Sequence, residues 1–281
     1  MMLKITKNFV KNNLPKRPTN SNKGSFGKIF ALCGSTDMMG AAVLAVKAAL
    51  AGGAGYVTAA VPSDEKDVLF NLVPEAVVLP LERGKEISQI KKHISKAKYT
   101  LILAGPGLGV ERAKEFLPVL QKLNLPLVLD GDALNALTFK NFKFKTPAIL
   151  TPHPLEAARL LGLNAIPADR EKAAAEIALK YNCVCVLKGK GTIITDGKTF
   201  LQNTTGGSAL AKAGTGDVLA GLISAVWAQS GATKQTALNA ASCGVYIHGL
   251  CGDIAGQKFS NYSVLASDLH KFIGVAIKQI L

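Results

Sequence analysis

Residues Asn203–Gly221, NTTGGSALAKAGTGDVLAG, join a glycine-rich turn to an apolar helix. The first part is small and polar and cannot pack a core, whereas the residues after Asp217 form an apolar run of helical length. A turn that opens onto a helix leaves backbone N–H groups without partners at the positive end of the helix dipole. The stretch therefore predicts an anion-binding turn at a helix N-terminus.

Asp217 places a negative charge where a phosphate would bind, and two interpretations of it are open. As a structural residue it would cap the helix, which Asp does well. As a functional residue it would take a proton from an attacking hydroxyl while the glycines hold a transferring phosphoryl group. Sequence around the turn does not separate them.

Outward from this turn, apolar strand-like segments alternate with helix-like segments. A β–α–β unit of this kind implies parallel strands and a right-handed crossover, and Asp196-Gly197 marks a two-residue hairpin. No linker or repeat interrupts the alternation, so we expect one domain over residues 1–281. The expected strands are Lys28–Cys33, Tyr56–Val61, Ala76–Leu79, Tyr99–Ala104, Pro126–Leu129, Ala148–Leu150, Val184–Leu187, Thr192–Thr195 and Thr199–Gln202.

Polar and glycine-rich clusters follow several of these strands. Ligands of open parallel sheets lie at the carboxyl ends of the strands, so clusters that are distant in sequence can line one crevice. Each cluster alone is more often only a turn or a helix cap, but the four together with the GTGD turn predict a site. They are Gly105–Gly109, Asp130–Asp132, Thr151–Glu156 and Lys188–Thr192.

Composition excludes several classes of protein. The 281 residues are 48% hydrophobic and 19% charged, which is a globular composition, and no apolar run is long enough for a membrane span. The five cysteines show no CxxC pair, so we expect neither a disulfide framework nor a zinc site, and a cytoplasmic location fits. Net charge is +14, and residues 1–36 hold seven basic residues and no acid. We expect residues 1–22 to be a solvated basic arm, and no nucleic-acid partner.

Taken together, the motifs resemble those of ADP- or ATP-dependent NAD(P)H-hydrate dehydratases of the ribokinase-like superfamily. TPHPLE and GTGDVLAG in one chain are more specific than either motif alone, and the resemblance covers residues 20–281. It carries small departures, such as Gly131 where Ala is frequent. The matching segments are Lys23–Gly27, Gly40–Leu50, Gly53–Gly55, Gly105–Gly109, Asp130–Leu137, Leu150–Gly162, Lys188–Thr192 and Asn203–Gly221.

The resemblance implies a three-layer α/β/α fold with a mostly parallel sheet, and a repair reaction. The ring hydroxyl of hydrated NADH or NADPH is phosphorylated by ADP or ATP with Mg²⁺, and phosphate then leaves. Family members are often homotetramers, and we expect a dehydratase domain without the epimerase domain to which some members are fused.

The resemblance also assigns roles to individual residues. Asp217 becomes the catalytic base, Gly214, Thr215 and Gly216 the anion hole, and Glu156 the acid that organises Mg²⁺ through water. The residues expected to contact the hydrated nicotinamide are Ala41, Gly107, His153 and Asp217. The residues expected to bind the nucleotide are Lys188, Gly189, Lys190, Gly191, Thr192 and Gly216.

Two other functions remain open from the sequence. A ribokinase-like small-molecule kinase, such as a hydroxyethylthiazole kinase, would share the fold and Asp217, although such kinases resemble TPNxxE where this chain has TPHPLE. A non-enzymatic nucleotide sensor or an RNA-binding protein would not need a carboxylate facing phosphate.

Overall fold

The computed structural model describes residues 2–138 and 142–281. Ten strands form one sheet, and within these ranges eleven α-helices flank it. The strands are β1 (Met2–Lys4), β2 (Lys28–Leu32), β3 (Tyr56–Pro62), β4 (Val77–Leu81), β5 (Leu101–Ala104), β6 (Leu127–Leu129), β7 (Ala148–Leu150), β8 (Val184–Leu187), β9 (Ile193–Thr195) and β10 (Phe200–Gln202). The helices are α1 (Lys7–Asn13), α2 (Met39–Ala51), α3 (Lys66–Leu72), α4 (Glu86–Lys96), α5 (Val110–Lys122), α6 (Asp132–Leu137), α7 (Pro154–Leu161), α8 (Arg170–Tyr181), α9 (Thr215–Gln229), α10 (Lys234–Phe259) and α11 (Ala266–Ile280).

The strand order is β1-β10-β9-β8-β7-β6-β5-β2-β3-β4. The pairs from β8 to β4 are all parallel, whereas β9 runs antiparallel to both of its neighbours. This is the mostly parallel sheet that the β–α–β alternation predicts. No helix in the described ranges is long and apolar enough to cross a membrane.

Both faces of the sheet are buried under helices. On β2, Ile29 and Ala31 belong to one apolar cluster and Phe30 and Leu32 to the other, as the two-residue period of a strand requires. The first cluster includes residues of α1–α3 and α9–α11, and the second includes residues of α4–α8. Strands buried on both sides are continuous apolar runs rather than alternating ones, and the result is the expected three-layer architecture.

Residues 2–13 are folded against the domain, so a solvated arm is the wrong description of that part of the N-terminal segment. Strand β1 pairs in parallel with β10, and Ile5 and Val10 are 0% exposed. Thr204 Oγ1 donates to the Ile5 carbonyl at 2.6 Å, and Asn239 Nδ2 donates to Asn13 Oδ1 at 2.7 Å. The sequence signal is weak because α1 has seven residues and buries only one of them. Such a short helix shows no apolar period.

The predicted hairpin of β9 and β10 is present, but its loop is longer than expected. Thr195 pairs with Phe200, so four residues connect the strands instead of two. Asp196 Oδ1 accepts hydrogen bonds from the backbone N–H groups of Lys198 at 3.0 Å and Thr199 at 2.8 Å. The Asp side chain thus closes the turn, a role that the dipeptide pattern alone does not show.

Candidate active site

The clusters that follow β2, β5, β6, β7 and β8 meet at one edge, because these five strands are parallel neighbours in the sheet. The first turn of α9 reaches the same edge. A side chain at Gly216 would place its Cβ 3.3 Å from Lys188 Nζ and 3.7 Å from Asp130 Oδ2. The ends of these strands and the glycine-rich turn therefore meet at one edge of the sheet.

An ion pair between Asp130 and Lys188 lies at the centre of this edge. Asp130 is 3% exposed, and its Oδ1 accepts from Lys188 Nζ and from Thr151 Oγ1, each at 2.7 Å. Burial alone would lower the pKa of Lys188, but the carboxylates of Asp130, Glu156 and Asp217 outweigh it and raise the pKa. Lys188 is therefore a permanent cation, held in place by the ends of two strands.

His153 and Glu156 form a capping box at the start of α7. His153 Nδ1 accepts from the backbone N–H groups of Leu155 at 3.1 Å and Glu156 at 3.2 Å, and Glu156 Oε2 accepts from His153 N at 2.8 Å. Burial, followed by Lys188, lowers the pKa of His153. Because Nδ1 is an acceptor, the proton of the neutral ring lies on Nε2, which is 3.5 Å from Glu156 Oε1. Pro154 at the first helical position suits this start.

Glu156 also faces Lys188, with 3.8 Å between Glu156 Oε2 and Lys188 Nζ. Burial raises the pKa of Glu156 to about 7, although Lys188 opposes the shift. Asp130, Glu156 and Asp217 thus share one nearby ammonium. In the part of the chain that the structure describes, no three acidic, His or Cys side chains are arranged to hold a metal directly.

Asp217 is the third residue of α9, and the N-cap is Gly214, at φ +88°. The Asp217 carboxylate makes no hydrogen bond to any described residue, which removes the helix-cap interpretation of this side chain. Burial, and then the neighbouring Asp130, raise the pKa of Asp217 to about 7, against the effect of Lys188. A carboxyl group that titrates near neutral pH and has no structural partner can exchange a proton.

The loop Gly105–Gly109 packs tightly against its neighbours. A Cβ on Gly105 would lie within 1.9 Å of the Asp130 carbonyl oxygen, and one on Gly107 would lie 2.8 Å from Ala41 Cβ. Gly109 N donates to Asp132 Oδ2 at 2.8 Å. The structure therefore brings Ala41 and Gly107 together, and it ties this loop to the one after β6.

A cavity of about 550 Å³ opens beside Lys188. The loop Lys188–Thr192 forms one side of it, and residues 205–208 with the first turn of α9 form another. Arg170 Nη1 donates to the Lys190 carbonyl at 2.7 Å, and a Cβ at Gly189, at φ +137°, would lie 3.0 Å from Arg170 Nη2. Glycine is thus required by the backbone conformation and by the crowding of this loop.

The predicted site residues fall into two groups that share Lys188 and the start of α9. Lys188–Thr192, Thr215 and Gly216 line the cavity. Ala41, Gly107, His153, Glu156 and Asp217 are not among its lining residues. The two groups are coupled by charge, since Lys188 acts on the pKa of His153, Glu156 and Asp217.

The contacts of three residues of this site are not evident in the sequence. Asp130 and Thr151 stand in predicted clusters, but the pairing of Asp130 with Lys188 joins positions 58 residues apart, and Thr151 donates to the Asp130 carboxylate. Arg170 stands in no predicted cluster and acts through its contact with the loop after β8. No local pattern shows these contacts, because the partners meet only when the strands align.

Known proteins resemble the chain over nearly its whole length. A sequence model of the NAD(P)H-hydrate dehydratase family matches residues 29–274. A bifunctional NAD(P)H-hydrate repair enzyme of Moorella thermoacetica is 35% identical over 98% of this chain and 54% of its own length. The chain spans about half the length of such bifunctional relatives.

Relatives of matching length are also found. The ADP-dependent (S)-NAD(P)H-hydrate dehydratase of Bacillus subtilis is 34% identical, and the alignment covers 94% of each chain. A crystal structure of the Bacillus subtilis ADP/ATP-dependent NAD(P)H-hydrate dehydratase, co-crystallised with ATP and Mg²⁺, superposes with a TM-score of 0.84 at 30% identity, covering 100% of this chain and 99% of the other. The fold is thus that of a ribokinase-like enzyme, and the chain belongs to the NAD(P)H-hydrate dehydratase family.

Proposed function

We propose that this chain is an ADP-dependent (S)-NAD(P)H-hydrate dehydratase that returns hydrated NADH or NADPH to the reduced coenzyme. The Bacillus subtilis relative of matching length carries this name. The observation that carries the proposal for this chain is Asp217. It is a carboxylate without a hydrogen bond to any described residue, and burial raises its pKa to about 7, at a glycine-rich helix start beside Lys188.

In the proposed reaction Asp217 takes the proton of the ring hydroxyl, and the hydroxyl oxygen attacks the terminal phosphoryl group of the nucleotide. The bond between that phosphorus and the bridging oxygen breaks, and the shortened nucleotide leaves. The C–O bond of the phosphate ester then breaks, and phosphate departs with its electron pair. Loss of a proton from the neighbouring ring carbon restores the double bond. An alcohol is a poor leaving group and a phosphate is a good one, so positioning and charge stabilisation are the protein's main tasks.

The nucleotide occupies the 550 Å³ cavity in this proposal. Lys188–Thr192 and Gly216 contact it, and the backbone N–H groups of Gly214, Thr215 and Gly216 stabilise the transferring phosphoryl group. First-turn N–H groups have no intrahelical partners, and Gly216 leaves room beside Lys188, which supports this arrangement.

Hydrated nicotinamide lies, by the same proposal, against Ala41, Gly107 and His153, within reach of Asp217. Gly107 and Ala41 lie close together, and neither has a side chain beyond Cβ that would keep a ring away. His153 Nδ1 is already occupied by two backbone N–H groups, so its half-exposed ring presents carbon edges and the Nε2–H group. We assign it substrate contact and no proton transfer.

Mg²⁺ fits the charge balance of this edge. Asp130, Glu156 and Asp217 face a single ammonium group, and burial raises the pKa of Glu156 and of Asp217. Glu156 is the residue we expect to hold Mg²⁺, through water, because Mg²⁺ prefers oxygen ligands and keeps several of its waters. When bound, the ion would offset phosphate charge.

The proposal also includes the domain organisation, the oligomeric state and the location of the protein. We propose one dehydratase domain over residues 1–281, a homotetramer, and a cytoplasmic location, which the five free, buried cysteines support. ADP is the proposed nucleotide, with ATP as the alternative. A small-molecule kinase is the second candidate function. This chain has His153, the N-cap of α7, where the TPNxxE motif of thiazole kinases has Asn, which counts against a kinase.

The test is to mix purified protein with hydrated NADH or NADPH, Mg²⁺ and either ADP or ATP. We expect the reduced-nicotinamide absorbance to return with one phosphate released per coenzyme, and faster with ADP. A reaction without nucleotide and one with the R-form of the hydrate are the controls. A phosphorylated product that accumulates without phosphate release would assign the chain to the kinases instead, and no turnover of any hydrate would reject the proposal.

A further inference from the structure

His248, on α10, carries a buried nitrogen that the proposed reaction does not use. The residue is 8% exposed, and its Nε2 has no hydrogen-bond partner among the described residues. A buried polar atom without a partner is destabilising and is rare in native proteins. This atom therefore needs a partner from outside the described residues, such as a ligand.

The protonation of this ring follows from its surroundings. Burial, with a smaller contribution from Lys188, lowers the pKa of His248 to about 4, while a bond to the backbone of Thr215 opposes the shift. A backbone bond that raises a histidine pKa is one that the ring donates, so the nitrogen facing Thr215 carries the proton. Nε2 is then an uncharged acceptor at neutral pH.

The position of His248 narrows the partner to the contents of one cavity. His248 lines the 550 Å³ cavity together with the loop Lys188–Thr192, to which we assign the nucleotide. Leu219 and Val245 also line the cavity, and both are almost fully buried. Apolar lining residues together with an imidazole suit a flat base or a ribose, with the phosphates at the glycine-rich side.

A neutral acceptor discriminates between parts of a nucleotide. Ionised phosphate oxygens are acceptors only, so they repel the lone pair of Nε2. The donors that a nucleotide offers are the adenine 6-amino group and the ribose hydroxyls. Resting on the proposed function, we propose that His248 determines nucleoside specificity, its Nε2 accepting a hydrogen bond from an N–H or O–H group of the nucleotide.

Two substitutions separate this role from a structural one. In His248→Asn, the amide nitrogen replaces the ring nitrogen that faces Thr215, and nothing replaces Nε2. In His248→Gln, the longer side chain returns an oxygen acceptor close to the position of Nε2. A melting curve of each variant reports whether the fold is kept.

The measurement is calorimetric affinity for ADP and for analogues that each lack one donor, namely purine riboside diphosphate, 2′-deoxy-ADP and 3′-deoxy-ADP. We expect wild type to bind one of these about two- to ten-fold more weakly than ADP, which corresponds to one hydrogen bond. His248→Asn should lose a similar factor for ADP and no longer distinguish that analogue from ADP. His248→Gln should restore part of the difference.

The outcomes are distinct. If the analogue that His248→Asn no longer distinguishes from ADP is the one without the amino group, Nε2 bonds the base. If it is an analogue without a ribose hydroxyl, Nε2 bonds the ribose. If the ratio of the affinity for ADP to the affinity for each analogue is the same in wild type and in His248→Asn, the inference is overturned and the proposed function is left intact. Wild-type protein that binds neither ADP nor ATP would overturn both. If His248→Asn cancels the effect of one analogue but the protein turns over no hydrate, the His248 role is supported and only the dehydratase reaction is rejected.

Discussion

Replacing Asp217 by Asn removes a proton acceptor while keeping the size of the side chain. Asp217 makes no hydrogen bond to the described residues and is not the N-cap of α9. The substitution should therefore leave the helix start intact. It does remove one of the three carboxylates that act on Lys188.

The expected loss of rate is large. A positioned general base contributes about 10²–10⁴-fold to turnover, so hydrate repair by Asp217→Asn should fall by that factor or more. Nucleotide affinity should stay the same or improve slightly, because a negative charge near the phosphates is gone.

The expected change in stability has the opposite direction. Burial raises the pKa of Asp217 from 3.8 to about 7, so across this window the native state binds more protons than the unfolded state. Stability of the wild type then falls as pH rises from 4 to 7. At about 1.4 kcal/mol per pKa unit the penalty has an upper bound of about 4 kcal/mol. At about 2 °C per kcal/mol for a chain of this length, Asp217→Asn should melt up to about 8 °C higher at pH 8.

The assay combines hydrate repair with melting curves between pH 4 and pH 8. Asp217→Asn should be inactive and more stable above pH 7, and the two melting temperatures should converge near pH 4. Asp132→Asn is the matched control, since it removes a neighbouring carboxylate whose Oδ2 accepts from Gly109 N. The turnover of Asp132→Asn should change by less than about ten-fold. Loss of a positioned base would lower turnover by at least about 10²-fold. Repair near the wild-type rate in Asp217→Asn would refute the catalytic role.

Further predictions concern pH, crowding and the N-terminal segment. Turnover should rise through about pH 7 and then level off, because Asp217 must be ionised, and a rate independent of pH from 5 to 8 would count against it. Gly216→Ala, whose Cβ would lie 3.3 Å from Lys188 Nζ, should weaken calorimetric ADP binding, whereas Gly274→Ala, with no atom within 4 Å, should not. Ile5→Ala, at a site that is 0% exposed, should lower stability by about 2–5 kcal/mol in denaturant titration. Leu3→Ala, 52% exposed, should change it by less than about 0.5 kcal/mol, and equal effects would contradict the burial argument.

Much of this fold could be predicted because its strands carry a local signal. Runs such as Tyr99–Ala104 are apolar throughout and are followed by glycine, so strand and turn are both visible. The edge at which Asp130 and Lys188 meet follows from parallel topology alone. What the sequence could not show is which atoms pair there, and that Asp217 lacks a partner, because both depend on tertiary distances.

The misjudged N-terminal segment has a different cause. Charge dominates residues 1–22, and the apolar contacts are made by Ile5 and Val10, too far apart and too few for a period. Their partners lie on β10, α10 and α11, about 190 residues or more along the chain. A local pattern cannot report contacts of that range.

The pairing of β1 with β10 links the N-terminus to the nucleotide cavity. Thr204 bonds the Ile5 carbonyl, and its neighbours Asn203 and Thr205 line the cavity. Local opening of β1 would free β10 at its outer edge, so we expect the two strands to open together. Amide hydrogen exchange along Phe200–Gln202 should therefore slow when the cavity fills, and a tag that strains β1 should speed it. Hydrogen exchange at the contact of β1 with β10 should thus report whether the cavity is occupied, although β1 itself lies outside the site.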